Sequence, residues 1–137
     1  MRPQVRIVLA PKSGAEYHPE VRIIARSTLN GFVANRVDSR LRTGVKKHLD
    51  AWYAEVEKAT WKDPAEPKAQ FRSASIVSGE RVVFNIKGND YRLVVAINFH
   101  YQILLIIWLG THKEYDKIEV TRVAYEKERY ADLSNSN

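Results

Sequence analysis

The chain has 137 residues, 45% of them hydrophobic and 28% charged, which points to one globular domain and excludes wholesale disorder. It contains no cysteine, which excludes disulfides and thiolate metal sites and fits a reducing, cytoplasmic setting. The formal net charge of +6 favours polyanions such as nucleic acid, or an acidic protein, as partners; a solvated helix face accounts for it equally well.

Residues 1–20 hold Pro3, Pro11 and Pro19 around Lys12-Ser13-Gly14, a density of breakers that predicts an extended arm with Val5–Leu9 as its only strand-like piece. No signal peptide is read in this arm, which lacks a sustained apolar stretch and a small-residue cleavage site. Val21 to Ala25 reads as a short strand, after which Ser27 or Thr28 caps a brief helix to about Asn35. Leu41, Val45, Leu49, Trp52, Val56 and Ala59 recur at spacings of three and four and predict a longer helix with one apolar face. Gly44 weakens its first turn by about 1 kcal/mol relative to Ala. Pro64 and Pro67 are expected to end helical structure and open a loop to about Phe71.

From residue 74 the pattern is β, with strands at about 74–78, 81–86, 91–99 and 102–110. The longest apolar run, Ile103 to Leu109, is strand-sized and far below the roughly 20 residues of a membrane span. Past Lys117 a further helix is expected, with Val120, Val123 and Ala124 on one face, and Ser134–Asn137 is expected to be disordered.

The tight turns fix a register. Ile86 opposite Tyr91 places Asn85 opposite Arg92, and Phe99 opposite Gln102 places Arg92 opposite Leu109, with Asn89 near His112. One face then carries Phe84, Leu93, Val95, Leu104, Ile106 and Trp108 and must pack on helices. The other is mixed, with Asn85, Arg92, Val94, Leu105 and Leu109. Because the last two strands begin and end at the Lys87–Asp90 turn, residues 111–116 must emerge beside Lys87, Asn89 and Arg92.

Those residues can perform RNA cleavage by internal transfer. The reaction needs a base for the 2′-hydroxyl, donors for the phosphate and an acid for the leaving 5′-oxygen. His112 is suited to acid or base work near neutrality. Arg92 can clamp phosphate, Lys87 and Lys113 supply point charges, and Tyr115 can donate a proton or stack on a base. Each has a plainer reading. Arg92 can pair with Asp90 or Asp116, His112 can merely cap a strand, Tyr115 can cover the sheet edge, and Lys87–Asp90 can be only a turn. No metal-ligand spacing, Gly-rich phosphate loop or hydrolase elbow is present.

Two stretches resemble a known family. Arg81-Val-Val-Phe-Asn-Ile-Lys-Gly-Asn-Asp-Tyr-Arg-Leu-Val-Val95 looks like the central hairpin of HigB-type toxins, and Gly110-Thr-His-Lys-Glu-Tyr-Asp116 like their closing motif. Arg22-Ile-Ile-Ala-Arg-Ser-Thr28, Ala51-Trp-Tyr-Ala-Glu55, Trp61-Lys-Asp-Pro-Ala65 and Lys68 extend the likeness to about residues 22–118. The resemblance implies an α+β, RelE-like fold, with an N-terminal strand and two helices packed on one face of an antiparallel β-sheet and RNA on the mixed face. It implies a cytoplasmic endoribonuclease that cleaves translated, ribosome-bound mRNA without metal or cofactor. A HigA-like helix-turn-helix antitoxin would neutralise it, and operator DNA would be met only through that complex. Carried over residue by residue, Arg92 clamps phosphate, His112 is acid or base and Tyr115 a supporting donor, while Asn85, Lys87, Asn89, Lys113 and Lys68 position RNA.

The expected organisation is an arm at 1–20 outside the likeness, a toxin domain at 21–118 and a tail at 119–137. The biological start is then Val21, or the arm is an unrelated addition. Two other readings stand beside the nuclease: a catalytically silent RNA- or protein-binding member of the same fold, and an interaction subunit whose basic helix face meets an acidic partner.

Overall fold

The computed structural model describes residues 19–131, so Val5–Leu9 and Ser134–Asn137 lie outside the described residues. In chain order the elements are β1 (Arg22–Ile24), α1 (Arg26–Arg36), α2 (Arg42–Val56), α3 (Ala65–Gln70), β2 (Ser75–Ile76), β3 (Arg81–Ile86), β4 (Tyr91–Asn98), β5 (Ile103–Thr111), α4 (His112–Tyr115) and α5 (Lys127–Tyr130). They build an α+β structure around one five-stranded open sheet of order β1-β5-β4-β3-β2.

The sheet is mixed rather than wholly antiparallel, because β1 lies parallel to β5, with Arg22 opposite Ile103 and Ile24 opposite Leu105. Three helices, α1 to α3, intervene between β1 and the rest of the sheet, which gives the chain room to cross over and return in the same direction. The inner face packs on α1 and α2. Leu29 and Phe32 meet Val45, Leu49, Trp52 and Val56 over Phe84, Leu93, Val95, Leu104 and Ile106. Trp52, Trp61 and Phe71 surround Phe84, with centroids 5.4, 6.3 and 5.0 Å from its ring, so these aromatics are core. Leu41, expected on the buried stripe, is 48% exposed because it precedes the helix as its N-cap.

Helix boundaries depart from expectation where local chemistry is overruled. Neither Ser27 nor Thr28 caps α1; the helix begins at Arg26 after Ala25, and Thr28 is buried inside it. Pro67 does not end helical structure but sits in the third position of α3, where the N–H it lacks has no helical acceptor to lose. No helix forms over 118–126. Arg81 Nη1 donates to the carbonyls of Val120 (2.9 Å) and Val123 (2.8 Å), holding this segment irregular against the outer face of the sheet.

The β3–β4 hairpin has the expected register, Ile86 opposite Tyr91 and Asn85 opposite Arg92. The β4–β5 pairing starts as expected, with Asn98 opposite Ile103, and then slips: Val95 opposes Ile106, but Val94 opposes Trp108. Ile107 is the extra residue of a β-bulge, and every side chain beyond it changes face. Arg92 therefore opposes Gly110, not Leu109. Leu109 turns into the inner core, and Trp108 turns outward to join Val83 and Val94.

Ile118, Val120 and Val123 cover that outer group. The chain then wraps over the edge of β5 into α5. Tyr130 is buried in the inner core, its hydroxyl accepting the Leu109 N–H at 2.8 Å, while Asn35 donates to the Ala131 carbonyl. This closing strap rests on Gly31, where an added Cβ would lie 1.9 Å from the Tyr130 carbonyl oxygen.

Replacing an interior helix glycine by alanine ordinarily stabilises by about 0.5–1 kcal/mol. Gly44→Ala is expected to do so, since its Cβ would meet only Lys87 Cε at an ordinary 3.6 Å. Gly31→Ala is expected to reverse the sign and cost about 1–3 kcal/mol through overpacking. Urea unfolding of the two variants checks this; stabilisation by Gly31→Ala would mean that the strap does not bear on α1.

Candidate functional site

The β3–β4 turn and the β5–α4 junction meet at one end of the sheet, as the strand directions require. The His112 N–H donates to the Asp90 carbonyl at 3.0 Å, joining the two segments through their backbones. In the turn, Lys87 (φ 55°) and Gly88 (φ 66°) are both left-handed. Glycine adopts that conformation freely, and Lys87 is tied across the turn by Nζ to Asp90 at 3.2 Å. Asn85 Nδ2 donates to Asn89 Oδ1 at 3.4 Å along the same rim.

Arg92 projects from β4 onto the outer face. Its Nη1 donates to the carbonyls of Asn89 (3.1 Å) and Tyr91 (3.3 Å), and its guanidinium lies 5.9 Å from the centre of the Tyr115 ring. The plainer reading of Arg92 as an ion-pair partner of Asp90 or Asp116 does not hold among the described residues. Asp90 is engaged by Lys87, and Asp116 lies 3.6 Å from His112 Nε2.

Tyr115 is half-buried against Trp108, with centroids 6.2 Å apart. Burial, with Asp116 adding to it, pushes its phenol above the ordinary value of 10.0 against the opposing Arg92 charge. The phenol therefore stays protonated through neutrality and is a donor. His112 is half-exposed on the first residue of α4, and Lys113 is exposed beside it.

The structure thus brings Arg92 and Tyr115 into contact, sets His112 on the same short turn, and lines the adjoining rim with Asn85, Lys87 and Asn89. Lys68 stands apart on α3, where its ammonium donates to the Arg72 carbonyl. The outer face is only partly available as an RNA surface, because Ile118, Val120 and Val123 cover its middle. Among the described residues no three His, Cys, Asp or Glu side chains gather as metal ligands, and no helix is long and apolar enough to cross a membrane.

Several residues that organise this corner went unread in the sequence. Thr111 and Glu114 form a reciprocal capping box: the Glu114 N–H donates to Thr111 Oγ1 (3.1 Å), and the Thr111 N–H to Glu114 Oε1 (2.9 Å). The Thr-x-x-Glu spacing is a legible signal for it. Arg129 carries none, being a surface-like charge in the tail, and Trp108, expected on the inner face, reaches this corner only through the bulge. Partial burial pushes the Glu114 carboxyl up, but the Thr111 hydrogen bonds and the Arg129 and Arg36 charges outweigh it and hold it below its ordinary 4.5. Gln102, buried in the β4–β5 turn at φ 56°, accepts the Trp61 N–H at 3.0 Å and anchors the α2–α3 loop to the far end of the sheet.

The class these features define is a small, basic α+β protein presenting an arginine, a tyrosine and a histidine at one end of an open sheet. The family described as HigB_toxin, RelE-like toxic component of a toxin-antitoxin system, matches residues 45–118. The match spans more than half of the chain, and the chain belongs to this family. No curated protein matches it closely enough to count as a relative.

A carboxyl held low in the folded state contributes stability in full above its ordinary value and loses it as pH falls through the lower folded value. Urea midpoints followed from about pH 5 to 3 are expected to fall less steeply in Glu114→Gln than in the wild type. Equal slopes would mean that the Thr111, Arg129 and Arg36 contacts do not favour the ionised form.

Proposed function

We propose that the chain arrests growth as the toxin of a toxin–antitoxin pair by cutting translated, ribosome-bound mRNA in the cytoplasm through metal-independent internal transfer. The observation that carries this reading is the convergence of Arg92, Tyr115 and His112 at one sheet end in a member of a RelE-like toxin family. Membership itself implies an antitoxin partner. We assign that role to a HigA-like helix-turn-helix protein, through which alone the toxin meets operator DNA.

In the proposed reaction the RNA 2′-oxygen attacks the adjacent phosphorus and loses its proton to a base. The P–O5′ bond breaks as an acid protonates the leaving oxygen, which leaves a 2′,3′-cyclic phosphate and a 5′-hydroxyl. Arg92 holds the phosphate: its Nη1 is committed to two carbonyls, while Nη2 and Nε carry no hydrogen bond among the described residues. His112 takes one of these two roles, as the acid or the base, with Asp116 beside its ring to hold it. Tyr115, kept protonated, donates to a phosphate oxygen. Asn85, Lys87, Asn89 and Lys113 guide the strand along the rim, and Lys68 meets it farther out.

A second reading, a catalytically silent RNA- or protein-binding member of the fold, is favoured by one observation. Residues 118–123 cover part of the face that RNA would use.

Primer extension on an mRNA under translation decides between the two. The wild type is expected to create new 5′ ends. Arg92→Ala and His112→Ala are expected to lose activity by about a hundredfold or more, and Tyr115→Phe by about tenfold. RNA binding without new ends would favour the second reading, and full activity in all three variants would discard this site.

A further inference from the structure

The strap that closes the molecule lies beyond the family match, which ends at residue 118, yet it reaches the candidate site. At the edge of β5, Arg129 donates to the Leu109 carbonyl from Nη2 (3.0 Å) and Nε (3.3 Å). The same Nη2 lies 3.4 Å from Glu114 Oε1, the carboxylate oxygen that caps α4 one residue before Tyr115. The guanidinium carbon also lies 4.9 Å from the centre of the Trp108 ring. For a charged group the Arg129 side chain is deeply placed, only 14% exposed.

Gly110 makes this approach possible. A Cβ there would lie 2.4 Å from Trp108 Cη2 and 2.8 Å from Arg129 Nη2, so the indole folds back over the glycine and the guanidinium covers it. The result is a row of cation, ring, ring and cation: Arg129 at 4.9 Å from Trp108, Trp108 at 6.2 Å from Tyr115 with the rings tilted by 51°, and Tyr115 at 5.9 Å from Arg92.

We infer that Arg129 is a positioning residue that sets Tyr115 and Arg92, acting through Glu114 on one side and Trp108 on the other. Through Glu114 it steadies the cap that starts α4; through Trp108 it supplies the wall on which Tyr115 leans. The bound carbonyl of Leu109 holds its guanidinium between the two contacts. Neighbouring Tyr130 grips the same strand residue and lies with its ring centre 5.8 Å from the Arg129 guanidinium, but touches neither Glu114 nor Trp108 among the described contacts; Tyr130→Phe keeps that ring and removes the hydroxyl that holds the strap. The inference rests on the proposed nuclease reading for its kinetic consequence, and on geometry alone for its structural one.

The test compares Arg129→Ala, Arg129→Lys and Tyr130→Phe by cleavage kinetics and by NMR of the folded, full-length chain. Arg129→Ala is expected to lower kcat about tenfold to a hundredfold with KM little changed. It should also shift the Glu114 and Tyr115 amides and the Arg92 side-chain resonance. Arg129→Lys, which restores a cation beside Glu114 and over Trp108, is expected to recover most of kcat. Tyr130→Phe is expected to lower stability while leaving kcat near wild type. An Arg129→Ala protein with wild-type kcat, or a Tyr130→Phe protein that loses as much, would overturn the inference. If the wild type cuts no RNA, the nuclease reading fails by itself. The positioning claim then stands or falls on whether Arg129→Ala moves the Tyr115 and Arg92 resonances.

Discussion

Ile107 has no partner on β4, and that one unpaired residue decides what lies on each side of the sheet at the end that carries Arg92. Without the bulge, Trp108 would enter the inner core and Leu109 would face outward. With it, a large indole stands on the outer face, and covering a ring of that size is worth on the order of 4 kcal/mol. The chain after α4 supplies the cover through Ile118, Val120 and Val123, held down by Arg81 through two carbonyls. The bulge thus generates a second small core, and the wall behind Tyr115 belongs to it.

An open sheet also has edges to protect. β1 has three residues and covers β5 only from Ile103 to Leu105, which leaves the rest of β5 without a strand partner on the side away from β4. The strap fills the gap without becoming a strand. At Leu109 the N–H is taken by the Tyr130 hydroxyl and the carbonyl by the Arg129 guanidinium, so both outward backbone groups are satisfied by side chains. Edge protection and support of the α4 turn are consequently one structure, since Arg129 serves Leu109 and Glu114 from the same nitrogen.

The sequence was most legible where a turn and an alternating pattern coincide. Lys87–Asp90 flanked by apolar alternation gave the β3–β4 register to the residue, and with it the meeting of Lys87, Arg92 and residues 111–116 at one end. The bulge was illegible for a physical reason. Ile103 to Leu109 is apolar at every position, so a one-residue slip leaves no mismatch in the pattern to read. The parallel docking of β1 was hidden because it is a long-range pairing with no turn to announce it. Residues 118–126 depart from the helix that the spacing of Val120 and Val123 predicts, because the carbonyls that a helix would use are claimed by an arginine some forty residues away.

The charges at the sheet end are arranged so that, among the described residues, Arg92 and the exposed Lys113 are left without a counter-ion. Lys87 faces Asp90, His112 faces Asp116, and Glu114 is shared by Arg36 and Arg129. Arg92, between these pairs, has only carbonyl oxygens and the Tyr115 ring for company among the described residues. Carbonyls and a ring face orient a guanidinium without cancelling its charge, so the field at that point favours an incoming anion with several oxygens. A carboxylate in place of either carbonyl would have satisfied the arginine internally and closed the site to such a ligand. On the proposed reading that anion is a phosphate of the RNA backbone, and Arg92, rather than the more exposed Lys113, is the residue on which the reading turns.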